Sequence, residues 1–141
     1  GLYSERIAAE DMGMYKDDPL GDLGRLQAEM FRAVRLVVDT GMHAKRWSRE
    51  RAIEYMLSKT GMTEAEVTRE IERYVVWPGQ ATAYKVGQLY MLRLRAMAEN
   101  QLGDAFDIRE FHEMILMNGA MPLEILEESV ESWVETQKAL I

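Results

Sequence analysis

The 141-residue sequence contains no cysteine, three prolines and two histidines. Without cysteine neither a disulfide nor a thiolate metal site can form, so any bound zinc or iron would need imidazole and carboxylate ligands. The two histidines, His43 and His112, are too few for a metal centre unless several carboxylates join them. No apolar run approaches the roughly 18 residues that crossing a bilayer demands, and residues 1–10 lack the basic start and apolar centre of a signal peptide. Cationic residues are also scarce, with 17 Lys and Arg against 24 Asp and Glu and a formal charge of −7. No dense Lys/Arg block with interleaved aromatics offsets that field, which argues against a nucleic-acid partner. Also missing are alternating Val/Ile/Thr runs joined by tight Asn-Gly or Asp-Gly turns, the mark of hairpins. The cellular compartment is left undetermined.

What is present is apolar patterning of period 3.6 in a chain that is 48% hydrophobic, enough for one sizeable core. The pattern predicts an all-α protein, an irregular bundle of about six to seven helices forming a single helical domain over residues 1–141. Leu2 to Met12 reads as the end of a helix without an N-cap, followed by a turn around Asp17, Asp18 and Pro19; this suggests a chain cut from a longer one. A second helix is expected from Gly21 or Asp22 to about Thr40, with Leu23, Leu26, Met30, Ala33, Val34 and Val37 as its apolar stripe and Gly41 ending or bending it. Ser48 suits the cap of a helix ending near Lys59, and Thr63 with Glu66 forms a capping-box pattern for the next, which stops near Trp77-Pro78-Gly79. A long helix should run from Gln80 to about Gln101, burying Ala83, Val86, Tyr90, Leu94 and Met97. Asp107 with Glu110 opens a short helix through Met117, and Pro122 suits the first turn of the last one.

Few residues suggest chemistry. Phe111-His112-Glu113-Met114-Ile115-Leu116 begins like a His-Glu-x-x-His zinc helix but has Leu116 where the second histidine must stand. His112 is therefore read as a hydrogen-bonded core histidine. If the second helix continues through Gly41, then Arg35, Asp39 and His43 fall four apart on one stripe, where Asp39 could orient the imidazole. The plainer alternative is a histidine favoured by the negative end of a helix. Gln80, Tyr84, Gln88 and Arg95 form a polar stripe that could line a cleft or simply face solvent. The eleven methionines are scattered at helical spacing and read as core filling, and the acidic run from Glu124 to Glu135 reads as a solvated face.

Several segments together are similar to the bacterial family catalogued as domain of unknown function 885. They are Gly1-Leu2-Tyr3-Ser4-Glu5, the stretch from Arg35 to His43, Trp47-Ser48-Arg49-Glu50, Arg73-Tyr74, Pro78-Gly79-Gln80-Ala81, Tyr84-Lys85-Val86-Gly87, Phe106-Asp107-Ile108-Arg109, Phe111-His112 and Gly119-Ala120-Met121-Pro122-Leu123. The resemblance implies a mostly helical protein of several hundred residues, related to zincin metallopeptidases, with a His-Glu-x-x-His-like motif upstream of this region. It also implies a Glu-Gly-Trp just before the segment matching Gly1-Leu2-Tyr3, its glutamate the third zinc ligand. On that basis the chain is expected to be the C-terminal portion of a larger zincin-like fold, lacking a complete metal site.

The resemblance transfers His43, Gln80 and Tyr84 as the accessory wall of a cleft, where His43 and Tyr84 suit donors to a developing oxyanion. Beside them Gln80 is expected to hydrogen-bond substrate backbone, Arg35 or Arg73 to anchor a substrate carboxylate, and Asp39 to orient His43. No metal ligand transfers; zinc is expected in the parent protein and no cofactor in this portion alone. The partners implied are the upstream part of the parent and a peptide substrate, and a chain separated from its neighbours could pair as a homodimer. The alternative is a non-catalytic helical binding or oligomerisation module.

Overall fold

The structure, a computed structural model, describes residues 1–140. Among them are seven α-helices, two short 3₁₀ turns and no strand, in agreement with the all-α reading. The helices are α1 (Leu2–Glu10), α2 (Pro19–Lys45), α3 (Arg49–Lys59), α4 (Glu64–Val76), α5 (Ala83–Leu102), α6 (Ile108–Met117) and α7 (Leu123–Lys138). The 3₁₀ turns span Gln80–Thr82 and Gly103–Ala105. Contacts divide the chain into two compact units, one over Gly1–Val86 and one beginning at Gly87.

Local chemistry explains most helix starts. Ser48 accepts from the Arg51 amide at the head of α3, and Thr63 and Glu66 cap α4 reciprocally, each side chain serving the other's backbone. Asp107 caps α6 by accepting from the Arg109 amide. Helix α2 begins earlier than the apolar pattern indicates, because the Asp18 side chain takes the Gly21 amide and Pro19 occupies the first turn, where its missing N–H costs nothing. Pro122 lies one residue outside α7 as its cap, and the segment read as the head of the long helix, Gln80–Thr82, winds as a 3₁₀ turn before α5.

The first unit packs α2 against α3, α4 and the Gln80–Thr82 turn. Its core joins Val34 and Val38 of α2, Ala52 and Met56 of α3, Val67, Ile71 and Tyr74 of α4, and Ala81. The second unit buries Leu94, Ala98 and Leu102 of α5 with Phe111 of α6 and Leu126, Val130 and Val134 of α7. Each fully buried large aliphatic or aromatic side chain contributes about 1.5–3 kcal/mol. The stripe expected to face the core of α2 is largely outside it: Leu23, Leu26, Met30 and Val37 are exposed, while Val34, Arg35, Val38, Asp39 and Gly41 are buried. On α5 likewise, Ala83 and Val86 are exposed.

Gly41 does not end α2, which runs on to Lys45 and stops where Arg46 adopts the left-handed conformation and Trp47 donates its amide to the Gly41 carbonyl. Gly41 is needed for space. A Cβ there would fall 2.6 Å from Cδ2 and Cε3 of Trp47, whose ring also packs with Tyr55 and Arg51. Gly41→Ala is therefore expected to destabilise the chain by about 1–3 kcal/mol, although alanine is the better helix former. Urea unfolding with tryptophan emission as the probe checks this; a stabilised variant would refute the packing account.

Candidate functional site

Because α2 continues past Gly41, Arg35, Asp39 and His43 do share one stripe, and the first unit brings them against the end of α4 and the turn that follows it. Their hydrogen bonds, however, lead to different places. The His43 Nε2–H donates to the Tyr74 carbonyl at 2.9 Å; a carbonyl only accepts, so Nε2 carries a proton. The exposed ring then presents Nδ1 outward, an acceptor in the neutral imidazole and a donor in the imidazolium.

Asp39 is 3% exposed, and both its oxygens accept from the Gly79 amide at 3.1 Å. Gly79 has φ +81°, in the left-handed region, which a glycine adopts at little cost. The carboxylate thus anchors the loop between α4 and α5, and the hydrogen bond that orients His43 comes from Tyr74 instead.

Around Tyr74 the last turns of α4 form a compact polar cluster. The Tyr74 ring is fully buried and its hydroxyl donates to Glu70 at 2.6 Å; burial pushes the phenol pKa up, and the neighbouring carboxylate pushes it further. For Glu70 burial likewise pushes the pKa up, but hydrogen bonds from Arg73 and Tyr74 outweigh it and hold the carboxyl below the usual range. Arg73 also donates to Gln80 Oε1 at 2.8 Å. Arg73 and Gln80 are therefore brought together, and the Gln80 amide nitrogen is left to face outward.

Arg35 differs from Arg73. It is 6% exposed, yet forms no hydrogen bond or ion pair among the described residues, and its Nε is buried without a partner. Three aromatic rings surround the guanidinium carbon, Tyr84 at 5.3 Å, Phe31 at 5.5 Å and Tyr74 at 5.6 Å from their centroids. Tyr84 itself is 51% exposed, and its hydroxyl has no partner among the described residues.

A zinc ligand set does not fit this cluster. His43 turns Nε2 to a carbonyl, Asp39 gives both oxygens to an amide, and no three His, Asp or Glu side chains converge among the described residues. His112 is partly buried on α6 with its ring 5.8 Å from that of Phe111, and Gln88, read as part of a polar stripe, is buried. Sequence reasoning passed over Tyr74, Glu70 and Phe31. Signals pointed to two of them: Val67, Ile71 and Tyr74 recur at helical spacing on one face of α4, and Glu70 stands four residues before Tyr74.

A crystal structure described as "the putative lipoprotein from Colwellia psychrerythraea" superimposes with a TM-score of 0.93 and 58% sequence identity. The match covers 96% of this chain but 23% of that one, so the chain spans about a quarter of its relative. No curated protein matches the sequence. Residues 1–130 match the family described as "Bacterial protein of unknown function (DUF885)", and with more than nine-tenths of its length matched the chain belongs to that family.

Proposed function

We propose that this chain is one helical wall of a peptide- or amide-binding cleft in a larger zinc-metallopeptidase-like protein, and that His43 and Tyr84 are its donors to the reacting carbonyl. The observation that carries this reading is that both side chains are exposed with a free polar atom, while each is held from behind. The Tyr74 carbonyl fixes the His43 ring, and the Arg35 guanidinium lies 5.3 Å from the Tyr84 ring centroid. In the imidazolium form His43 donates from Nδ1, and the Tyr84 phenol donates from its hydroxyl, to negative charge developing on a substrate oxygen. Gln80, its Oε1 taken by Arg73, offers its amide nitrogen to a substrate carbonyl. Zinc, implied by the family resemblance, would be held by residues outside this chain.

The 23% coverage of the Colwellia relative supports a parent of several hundred residues. Its lipoprotein description supports an exported setting. Among the described residues no helix is long and apolar enough to cross a membrane.

The test is hydrolysis of a peptide library by the longer protein. Tyr84→Phe and His43→Ala should each lower kcat by about 10²–10³, the usual cost of removing one oxyanion donor. Unchanged kcat in both variants would overturn the assignment. The second reading, a helical binding or oligomerisation module, is favoured by the exposed Leu20, Leu23, Leu26 and Met30 along α2. An inactive longer protein together with a self-associating 141-residue chain in sedimentation would select it.

A further inference from the structure

The Arg35 guanidinium presents a polar group whose requirements the protein meets only in part. Burying a cation costs several kcal/mol unless charge and hydrogen bonds are both supplied. The rings of Phe31, Tyr74 and Tyr84 supply the first, since their π-faces stabilise positive charge within about 6 Å. They do not supply the second: a ring face is a poor acceptor, and five N–H groups need oxygen atoms. Nε is sealed from solvent with no partner, and the terminal nitrogens, equally without partners among the described residues, keep a little solvent contact. Arg73, the other arginine at the site, is already engaged by Glu70 and Gln80. A ligand oxygen is needed at Arg35 and not at Arg73.

We infer that Arg35 is the seat of a carboxylate-binding site, and that its ligand is the free C-terminal carboxylate of a short peptide. A planar carboxylate matches the guanidinium edge with two parallel N–H···O bonds, while the aromatic faces stay in place. Glu70 already lies within electrostatic reach of Arg35, so the site favours one negative charge over two and a carboxylate over a phosphate dianion. The terminal nitrogens, with a little solvent contact beside the half-exposed Tyr84, are where the carboxylate approaches. That the carboxylate belongs to a peptide rests on the cleft reading; the binding of a carboxylate to Arg35 does not.

The experiment is a titration of the ¹⁵N-labelled 141-residue chain, following the Arg35 Nε–H resonance, with N-acetylglycine, N-acetylglycinamide and inorganic phosphate. The expected result is a saturable shift with N-acetylglycine, and binding at least about tenfold weaker for the amide and for phosphate, the order of magnitude of a lost charge-assisted pair. Arg35→Lys, which keeps the charge but loses the fork, should weaken N-acetylglycine about tenfold. No saturable shift, equal response to the amide, or phosphate binding as tightly as the carboxylate would each overturn the proposal. The wild-type titration decides even if Arg35→Lys does not fold. Because it requires no turnover, its outcome is separate from that of the His43 and Tyr84 variants.

Discussion

Tyr74→Ala is expected to cost about 3–5 kcal/mol, the range for deleting a fully buried aromatic side chain. The ring is enclosed by Val34, Val38, Met56, Val67 and Ile71, so its loss opens a cavity at the centre of the first unit. The same change removes the hydroxyl that Glu70 accepts and one of the three rings around Arg35, leaving a buried cation less well compensated. Tyr74→Phe separates the two contributions, since it keeps the ring and forfeits only the bond to a charged acceptor, at about 1.5–3 kcal/mol. Urea unfolding of the three proteins, followed by circular dichroism, gives both differences. An alanine variant within 1 kcal/mol of the parent chain would mean that the first unit does not depend on this packing.

Asp39→Ala should follow at about 2–3 kcal/mol. Its carboxylate is buried and takes the Gly79 amide on both oxygens, and a charge-assisted bond of this kind is stronger than a neutral one. Without it the chain between α4 and α5 loses its tie to α2, and the Gly79 amide should exchange with solvent tens of times faster, the exponential consequence of the local free energy lost. Asp39→Asn retains an acceptor and should recover about half of the stability. The hydrogen bond from His43 to the Tyr74 carbonyl should survive both changes, visible as an unaltered Nε2–H resonance. If that resonance were lost in Asp39→Asn, the earlier expectation that Asp39 orients the histidine would be the better account.

Helix existence was legible because its signals are local. Ser48, Thr63 with Glu66, and Asp107 cap the helices they were read to cap, since a side-chain oxygen reaches an amide only two or three residues on. Which face each helix buries was less legible. Leu23, Leu26, Met30 and Val37 form as good a stripe as any in the chain, yet they are exposed, and α2 instead buries a face that includes Arg35 and Asp39. Periodicity shows that a face is apolar; it does not say what lies opposite. Arg35 could be sheltered because Phe31, Tyr74 and Tyr84 stand around it, and Asp39 because Gly79 brings an amide to it from forty residues away.

The candidate site divides along the same line. The i, i+4 spacing of Arg35, Asp39 and His43 determined that they would share a stripe once α2 ran through Gly41, a purely local matter of helix geometry. Gly41 itself was read as a breaker, because a glycine's use as space for Trp47 depends on a chain reversal that no local rule contains. The sequence by itself determined the all-α class, the helix starts and the residues able to donate a proton. Only the tertiary structure decided that His43 is held by Tyr74, that Asp39 serves a loop, that Arg73 is satisfied and that Arg35 is not. The physical reason is that hydrogen-bond partners are chosen across distances of tens of residues, by packing that brings one helix's carbonyl or amide to another helix's side chain.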